Sequence, residues 1–229
     1  YDFDAIELLN GMRLDQLRGV RIPPDISAEA LEELPEGNEA GGYLLDEYGQ
    51  IAYPGQIDDW FNLLNRGYTF TGVGNSDSHE LLTDHVGNPR TYLRLGLDQP
   101  EDIGDLAIVR AIKGHRSIVS NGPFVDLIID TDEHPRKNGI IARVGDLVSV
   151  PNGRIQLIIT VQAPPWIRLD KVRLWRNGEL MHEWDEADGF LGQNVDDPEK
   201  AYQFAIDDHT FQLTSDSWLV VEVLGDEAG

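Results

Sequence analysis

The rhythm of the chain changes once, at about Phe124, and this change limits what the chain can fold into. Before it, apolar residues recur with a period near 3.6 in some segments and near 2 in others, as in helices and strands taken in turn. After it, helical periodicity stops, and short strand-like runs are separated by turn residues. Strand–helix–strand rhythm builds parallel sheet covered by helices, whereas strands alone build packed antiparallel sheets. The expected organisation is therefore α/β for residues 1–124 and all-β for 125–229, and 229 residues suffice for both.

In the first region, Phe3-Asp4-Ala5-Ile6-Glu7-Leu8-Leu9 reads as a strand stopped by the turn signal Asn10-Gly11. Glu7 sits inside this apolar run. It is either an outward acid on an alternating strand or a carboxylate at the strand's C-terminal end, where α/β barrels keep their chemistry. Residues 11–56 are weakly patterned. Ser27 is a candidate cap for a short helix ending before Pro35, and the long connection is a candidate lid or a plain surface insertion. Ile57, Trp60, Phe61 and Leu64 fall at helical spacing and predict a helix over 57–66. Strands are predicted over 68–73, 91–95 and 117–120. A second helix is predicted over 100–113, with Ile103, Leu106, Ala107 and Val109 as its apolar face.

In the second region, strand-like runs cover 124–129, 140–150, 155–162, 171–176, 179–184, 201–206 and 218–224. Asn177-Gly178 between two of them is a strong hairpin signal. This many short strands in about 105 residues predicts a β-sandwich of immunoglobulin-like size.

Net charge is −23, with the acidic excess spread over both regions. Such a field repels a phosphate backbone, so nucleic acid is not expected as a partner. No apolar run approaches a membrane span, and no membrane partner is expected. The absence of cysteine excludes disulfides and thiolate metal sites and leaves the compartment open. Tyr1 already lies in the first strand pattern, with no methionine, basic n-region or h-region before it. The expectation is a processed or excised piece of a longer protein.

The chemistry centres on Gly72-Val73-Gly74-Asn75-Ser76-Asp77-Ser78-His79. An apolar strand ends in two glycines and is followed by an acid and a histidine two residues apart. On a strand, such residues share a face. A carboxylate and a neutral imidazole together suit Zn, Mn or Fe. Asp77 and His79 are thus the candidate metal ligands. Asn75 and Arg90 are candidate catalytic groups: Asn75 to orient a ligand or nucleophile, Arg90 to clamp a phosphate or carboxylate through its planar fork. His85 is a weaker candidate on the following loop, and Asn121 a turn residue near the site.

The strings FDAIELLNG, DDWFNLLNRGYTFTGVGNSDSH, GNPRTYLRL and SIVSNGPF occur in that order. Together they resemble the polymerase and histidinol phosphatase (PHP) superfamily, most closely its CehA/McbA-like metallohydrolases. The resemblance covers residues 1 to about 124, apart from the long 11–56 connection, and covers the β-rich part loosely. It implies the last β/α units of a distorted (β/α)7 barrel followed by a β-rich extension. It implies that Glu7 matches a metal-bridging glutamate and that Asp77 and His79 match a late Asp-x-His ligand pair. The implied activity is hydrolysis of a small-molecule ester or phosphoester by metal-activated water. Such sites begin with an early His-x-His pair, which this chain lacks. The expectation is that those ligands lie upstream of Tyr1 and that this chain alone binds metal weakly and is inactive. Carbamate or amide hydrolysis needs the same chemistry and stays open.

A rival of another class is a non-catalytic module that binds a glycan or protein through its sandwich. Trp166, Trp175, Trp184 and Trp218 carry that idea, with core packing as their other use. His115 reads as a cation at a helix C-terminus, and His134, His182 and His209 read as surface residues.

Overall fold

A computed structural model of the chain describes residues 3–11, 38–40, 43–45, 55–80, 85–131, 142–164, 167, 169–185, 192–193 and 202–225. The elements in order are β1 (Ala5–Asn10), β2 (Asn38–Ala40), β3 (Tyr43–Leu45), α1 (Gln56–Asn65), β4 (Thr71–Asn75), β5 (Arg90–Leu93), a 3₁₀ turn (Pro100–Asp102), α2 (Asp105–Lys113) and β6 (Ser117–Ser120). Eight further strands follow: β7 (Phe124–Thr131), β8 (Ala142–Arg143), β9 (Arg154–Ala163), β10 (Leu169–Arg176), β11 (Glu179–Trp184), β12 (Gly192–Gln193), β13 (Tyr202–Gln212) and β14 (Leu219–Gly225). The short helix expected after Ser27 lies outside the described residues. No helix among the described residues is long and apolar enough to cross a membrane.

In the first region, β1 and β4 pair in parallel, with Ala5 opposite Thr71 and Asn10 opposite Asn75. β5 and β6 pair antiparallel, with Arg90 opposite Ser120 and Thr91 opposite Val119. Side chains join the two pairs. Thr91 Oγ1 accepts from Gly74 N at 2.8 Å and donates to Gly74 O at 2.9 Å, and Ser117 Oγ donates to Gly72 O at 2.7 Å. Gly74 makes room for this approach, and Gly72 makes room for Leu8 of β1. A Cβ on Gly72 would collide with Leu8 Cδ1, and one on Gly74 with Val119 Cγ1. Thr71 meets His115, Gly72 meets Ser117 and Gly74 meets Val119, so β4 and β6 advance in the same direction. The carboxyl ends of β1, β4 and β6 and the amino end of β5 therefore lie on one side. Among the described residues these strands do not close into a ring.

The helix predicted over 57–66 forms as α1. The Gly55 N–H donates to the Asp58 carboxylate at 3.0 Å, which ties down the first turn. Phe61 is buried, and Trp60 Nε1 donates to Phe70 O at 2.8 Å. The strand predicted over 68–73 starts later, at Thr71. Tyr68 and Phe70 instead form a ring stack, with Phe3 on Phe70.

The helix predicted over 100–113 is broken. A 3₁₀ turn stops at Asp102, Ile103 is extended, and Gly104 caps α2 with φ −102° and ψ 163°. Glycine inside the segment lowers the cost of leaving the helix there. The apolar face is also corrected. Leu106 is 68% exposed and Val109 44%, whereas Ala111 is the buried residue of α2. The end of α2 lies against β4, where Ile112 O accepts from the Thr71 hydroxyl.

The second region comprises two antiparallel sheets, ordered β12-β13-β9-β7-β8 and β11-β10-β14. β9 alternates strictly: Ile155, Leu157, Ile159, Val161 and Ala163 are buried, and they share one core with Val172, Leu174 and Trp184 of the other sheet. The Asn177-Gly178 hairpin forms, with φ +51° and +87° at the two turn residues. Among the described residues of the run predicted over 140–150, only Ala142–Arg143 is strand. β13, predicted to end at 206, continues to Gln212.

Two seams join the regions. Phe61 of α1 packs against Trp218 at 4.8 Å and Trp175 at 5.7 Å between ring centroids. Beside them, Asn65 Oδ1 accepts from Trp218 Nε1 at 2.9 Å, and Asn65 Nδ2 donates to Asn177 O at 3.0 Å. In the second seam, Arg94 Nη2 donates to Val144 O and to Asp146 Oδ1, both at 2.9 Å.

Candidate metal centre

Glu7 lies on β1, next to an irregularity in its pairing with β4 between Glu7 and Leu9. Leu8 turns into the core while the Glu7 carboxylate remains partly exposed. Each of its oxygens accepts from an amide: Oε1 from Asn75 Nδ2 at 2.8 Å and Oε2 from Asn10 Nδ2 at 3.1 Å. Asn10 Nδ2 also lies 3.3 Å from Asp77 Oδ2. Asp77 Oδ1 in turn is 3.8 Å from His79 Nε2. Four of the five candidate residues thus gather at the carboxyl ends of two parallel strands, where open α/β sheets bind ligands.

Asp77 and His79 do not meet by strand alternation. β4 ends at Asn75, and Asp77 has φ +49°, a left-handed conformation that Asp tolerates better than most residues. The left-handed residue turns the chain back toward β1, and this turn brings the Asp77 carboxylate to Asn10. Gly11 makes room for the turn. Its N–H donates to Asn75 O at 3.0 Å, and a Cβ there would strike the Ser76 carbonyl.

Arg90 stands at the amino end of β5, on the same side as the carboxyl ends of β1 and β4. Its guanidinium lies 5.9 Å from the Tyr92 ring centroid, and its described contacts do not include Glu7, Asp77 or His79. His85 is exposed on the intervening loop, its carbonyl accepting from Asn88 N at 2.9 Å. Asn121 is exposed just past β6. Asn88 Oδ1 is buried with no hydrogen-bond partner among the described residues, and the Asn88 backbone borders Gly11.

By donor chemistry, two carboxylates and an imidazole fit one divalent cation. Glu7, Asp77 and His79 would hold it. As they stand, no three His, Asp or Glu side chains among the described residues close around one point. The place shared by the Glu7 and Asp77 carboxylates is taken by the Asn10 amide. Asn10 was legible in the sequence only as a turn residue; the sign that could have found it is an amide at the end of a strand carrying a lone carboxylate.

The other histidines have different surroundings. His115 follows α2 with φ +57°, and its Nδ1 is 2.8 Å from the buried Thr71 hydroxyl, so it serves packing between α2 and β4. His182 and His209 are not plain surface residues. Their rings lie 4.7 Å apart, one from each sheet, against Trp184 and Phe211. Burial, and then the neighbouring His182, hold the His209 pKa below its usual value. His134 and Trp166 lie outside the described residues. Trp184 is in the core, and Trp175 and Trp218 pack on Phe61. Comparison with protein-family profiles, with curated proteins and with solved structures gives no match.

Proposed function

We propose that the chain is the later part of a metal-dependent hydrolase of the PHP type, acting on a small phosphoester through metal-activated water. On this reading residues 1–124 supply the last β/α units of the barrel and 125–229 an immunoglobulin-like sandwich. The observation that carries it is the gathering of Glu7, Asn75, Asp77 and His79 at the carboxyl ends of β1 and β4. Glu7, Asp77 and His79 would hold a divalent cation, which would supply a lowered water pKa and an offset to charge on the transition state. Glu7 and Asp77 bring anionic oxygens and His79 a neutral nitrogen. Asn75 fixes one oxygen of Glu7, leaving the carboxylate a defined direction. Arg90 is fixed in charge and has the fork geometry of a phosphate clamp at the same end of the sheet. Its perch on Tyr92 leaves it free to reach a substrate and does not tie it to the carboxylates.

The chain has no His-x-His pair, and its described donors do not close around one point, so the 229-residue chain is expected to bind Mn²⁺ weakly and without turning over p-nitrophenyl phosphate or its diester. Mn²⁺ titration followed by the electron paramagnetic resonance of the free ion tests this. Asp77→Ala and His79→Ala should each lose most of the binding. Unchanged binding in Asp77→Ala sinks the assignment, and tight stoichiometric binding with turnover by this chain overturns the incomplete site.

A further inference from the structure

We propose that Asn10 is a positioning residue of this centre, holding the Glu7 and Asp77 carboxylates on a common point. The inference rests on the metal-centre reading above. Asn10 is the last residue of β1 and stands opposite Asn75 in the register. One nitrogen of its side chain reaches both acids, at 3.1 Å to Glu7 and 3.3 Å to Asp77. These acids are far apart in sequence and come from different strand ends. Two anions brought together repel each other and would swing apart if unrestrained. An amide offsets part of that repulsion with N–H dipoles and no net charge. A lysine in the same place would neutralise the pair and compete with a cation; an amide restrains the acids and yields to a stronger partner.

The backbone fixes where this amide stands. Gly11, the next residue, donates to Asn75 O and lies against the Ser76 carbonyl. The end of β1 is thereby locked to the turn that carries Asp77. The Asn75 amide holds the other oxygen of Glu7, so the Glu7 carboxylate is fixed from two sides. Asn10 alone among the described contacts links Glu7 to Asp77. It therefore determines whether the two acids present themselves as a pair.

The experiment is the Mn²⁺ titration on wild type, Asn10→Ala and Asn10→Gln, with thermal midpoints measured without metal. Groups that orient ligands are worth about tenfold to a hundredfold in metal affinity. Asn10→Ala should weaken Mn²⁺ binding about tenfold, and Asn10→Gln, which keeps both N–H donors, should restore part of it. Asn10→Leu fills similar space without donors and replaces the alanine variant if that one does not fold. No Mn²⁺ binding by wild type removes the metal-centre reading itself. Wild-type binding with unchanged affinity in Asn10→Ala or Asn10→Leu overturns the role of Asn10 alone. Equal losses in the alanine and glutamine variants also overturn it, since the amide would then not be what matters. A lowered thermal midpoint with unchanged affinity in the folded protein would mark a merely structural residue.

Discussion

The two regions are held together by different forces. In the second, an alternating strand buries Ile155, Leu157, Ile159 and Val161 against Val172 and Leu174, all at 0–1% exposure. In the first, the parallel pair β1–β4 is bound to β5–β6 largely through hydroxyls of Thr91 and Ser117 on glycine backbone. Phe3, Tyr68, Leu106 and Val109 of that region remain exposed. Apolar burial is strong and indifferent to direction, so it suits a scaffold. Hydroxyl-to-backbone bonds add only about 0.5–1.5 kcal/mol each but are directional, so they set how strand ends face each other. The contrast is that the sandwich supplies stability and the α/β region supplies placed polar groups.

Truncation of the two cores tests this most strongly. Leu157→Ala should cost about 2–5 kcal/mol, as for a fully buried leucine, by urea unfolding. Leu8→Ala in the first region should cost distinctly less in the same measurement. Equal costs would break the contrast. A smaller effect is expected at the seam. Asn65→Ala removes the acceptor of Trp218 Nε1 and the donor to Asn177 O. It should cost about 1 kcal/mol for each bond lost, read from the same urea curves. A single transition in wild type that separates into two in Asn65→Ala would show that the seam couples the regions.

The smallest effect concerns pH. His209 has a folded pKa below the usual 6.5, first because of burial and then because His182 faces it. The unfolded chain takes up the proton near pH 6.5 while the folded chain resists it. The contribution of His209 is therefore intact above about pH 6.5 and falls as the pH drops below it. Thermal midpoints between pH 7.5 and 5.5 should decline in wild type and decline less in His209→Gln. Parallel declines would mean that the ring pair does not sense protons. At lower pH a second loss is expected. The Arg173 hydrogen bond holds the Glu183 pKa down against its partial burial, so that bond's contribution fades as the carboxylate protonates.

Local signals read from the sequence correspond to the structure where one segment decides its own shape. Helical spacing of Ile57, Trp60, Phe61 and Leu64 suffices for α1, and Asn177-Gly178 suffices for the hairpin, since both rest on local backbone preference. The 100–113 segment differs because its apolar residues satisfy helical spacing while the chain leaves the helix at Ile103 and Gly104, and α2 begins only at Asp105 with Ala111 as its buried residue. The left-handed turn at Asp77 was likewise invisible, because Asp occupies strands, turns and left-handed positions alike.

Sequence alone determined α1, the Asn177-Gly178 hairpin, the change of rhythm near Phe124 and the pairing of an acid with a histidine after two glycines. These depend on neighbours a few residues apart, so pattern records them. The tertiary structure alone decided that Asn10 would lie between Glu7 and Asp77, and that Phe61 would pack on Trp175 and Trp218. The contacts of Asn10 with Asp77 and of Phe61 with Trp175 and Trp218 join residues distant in the chain. Strand pairing and the close approach at Gly11 bring Asn10 to the turn that carries Asp77.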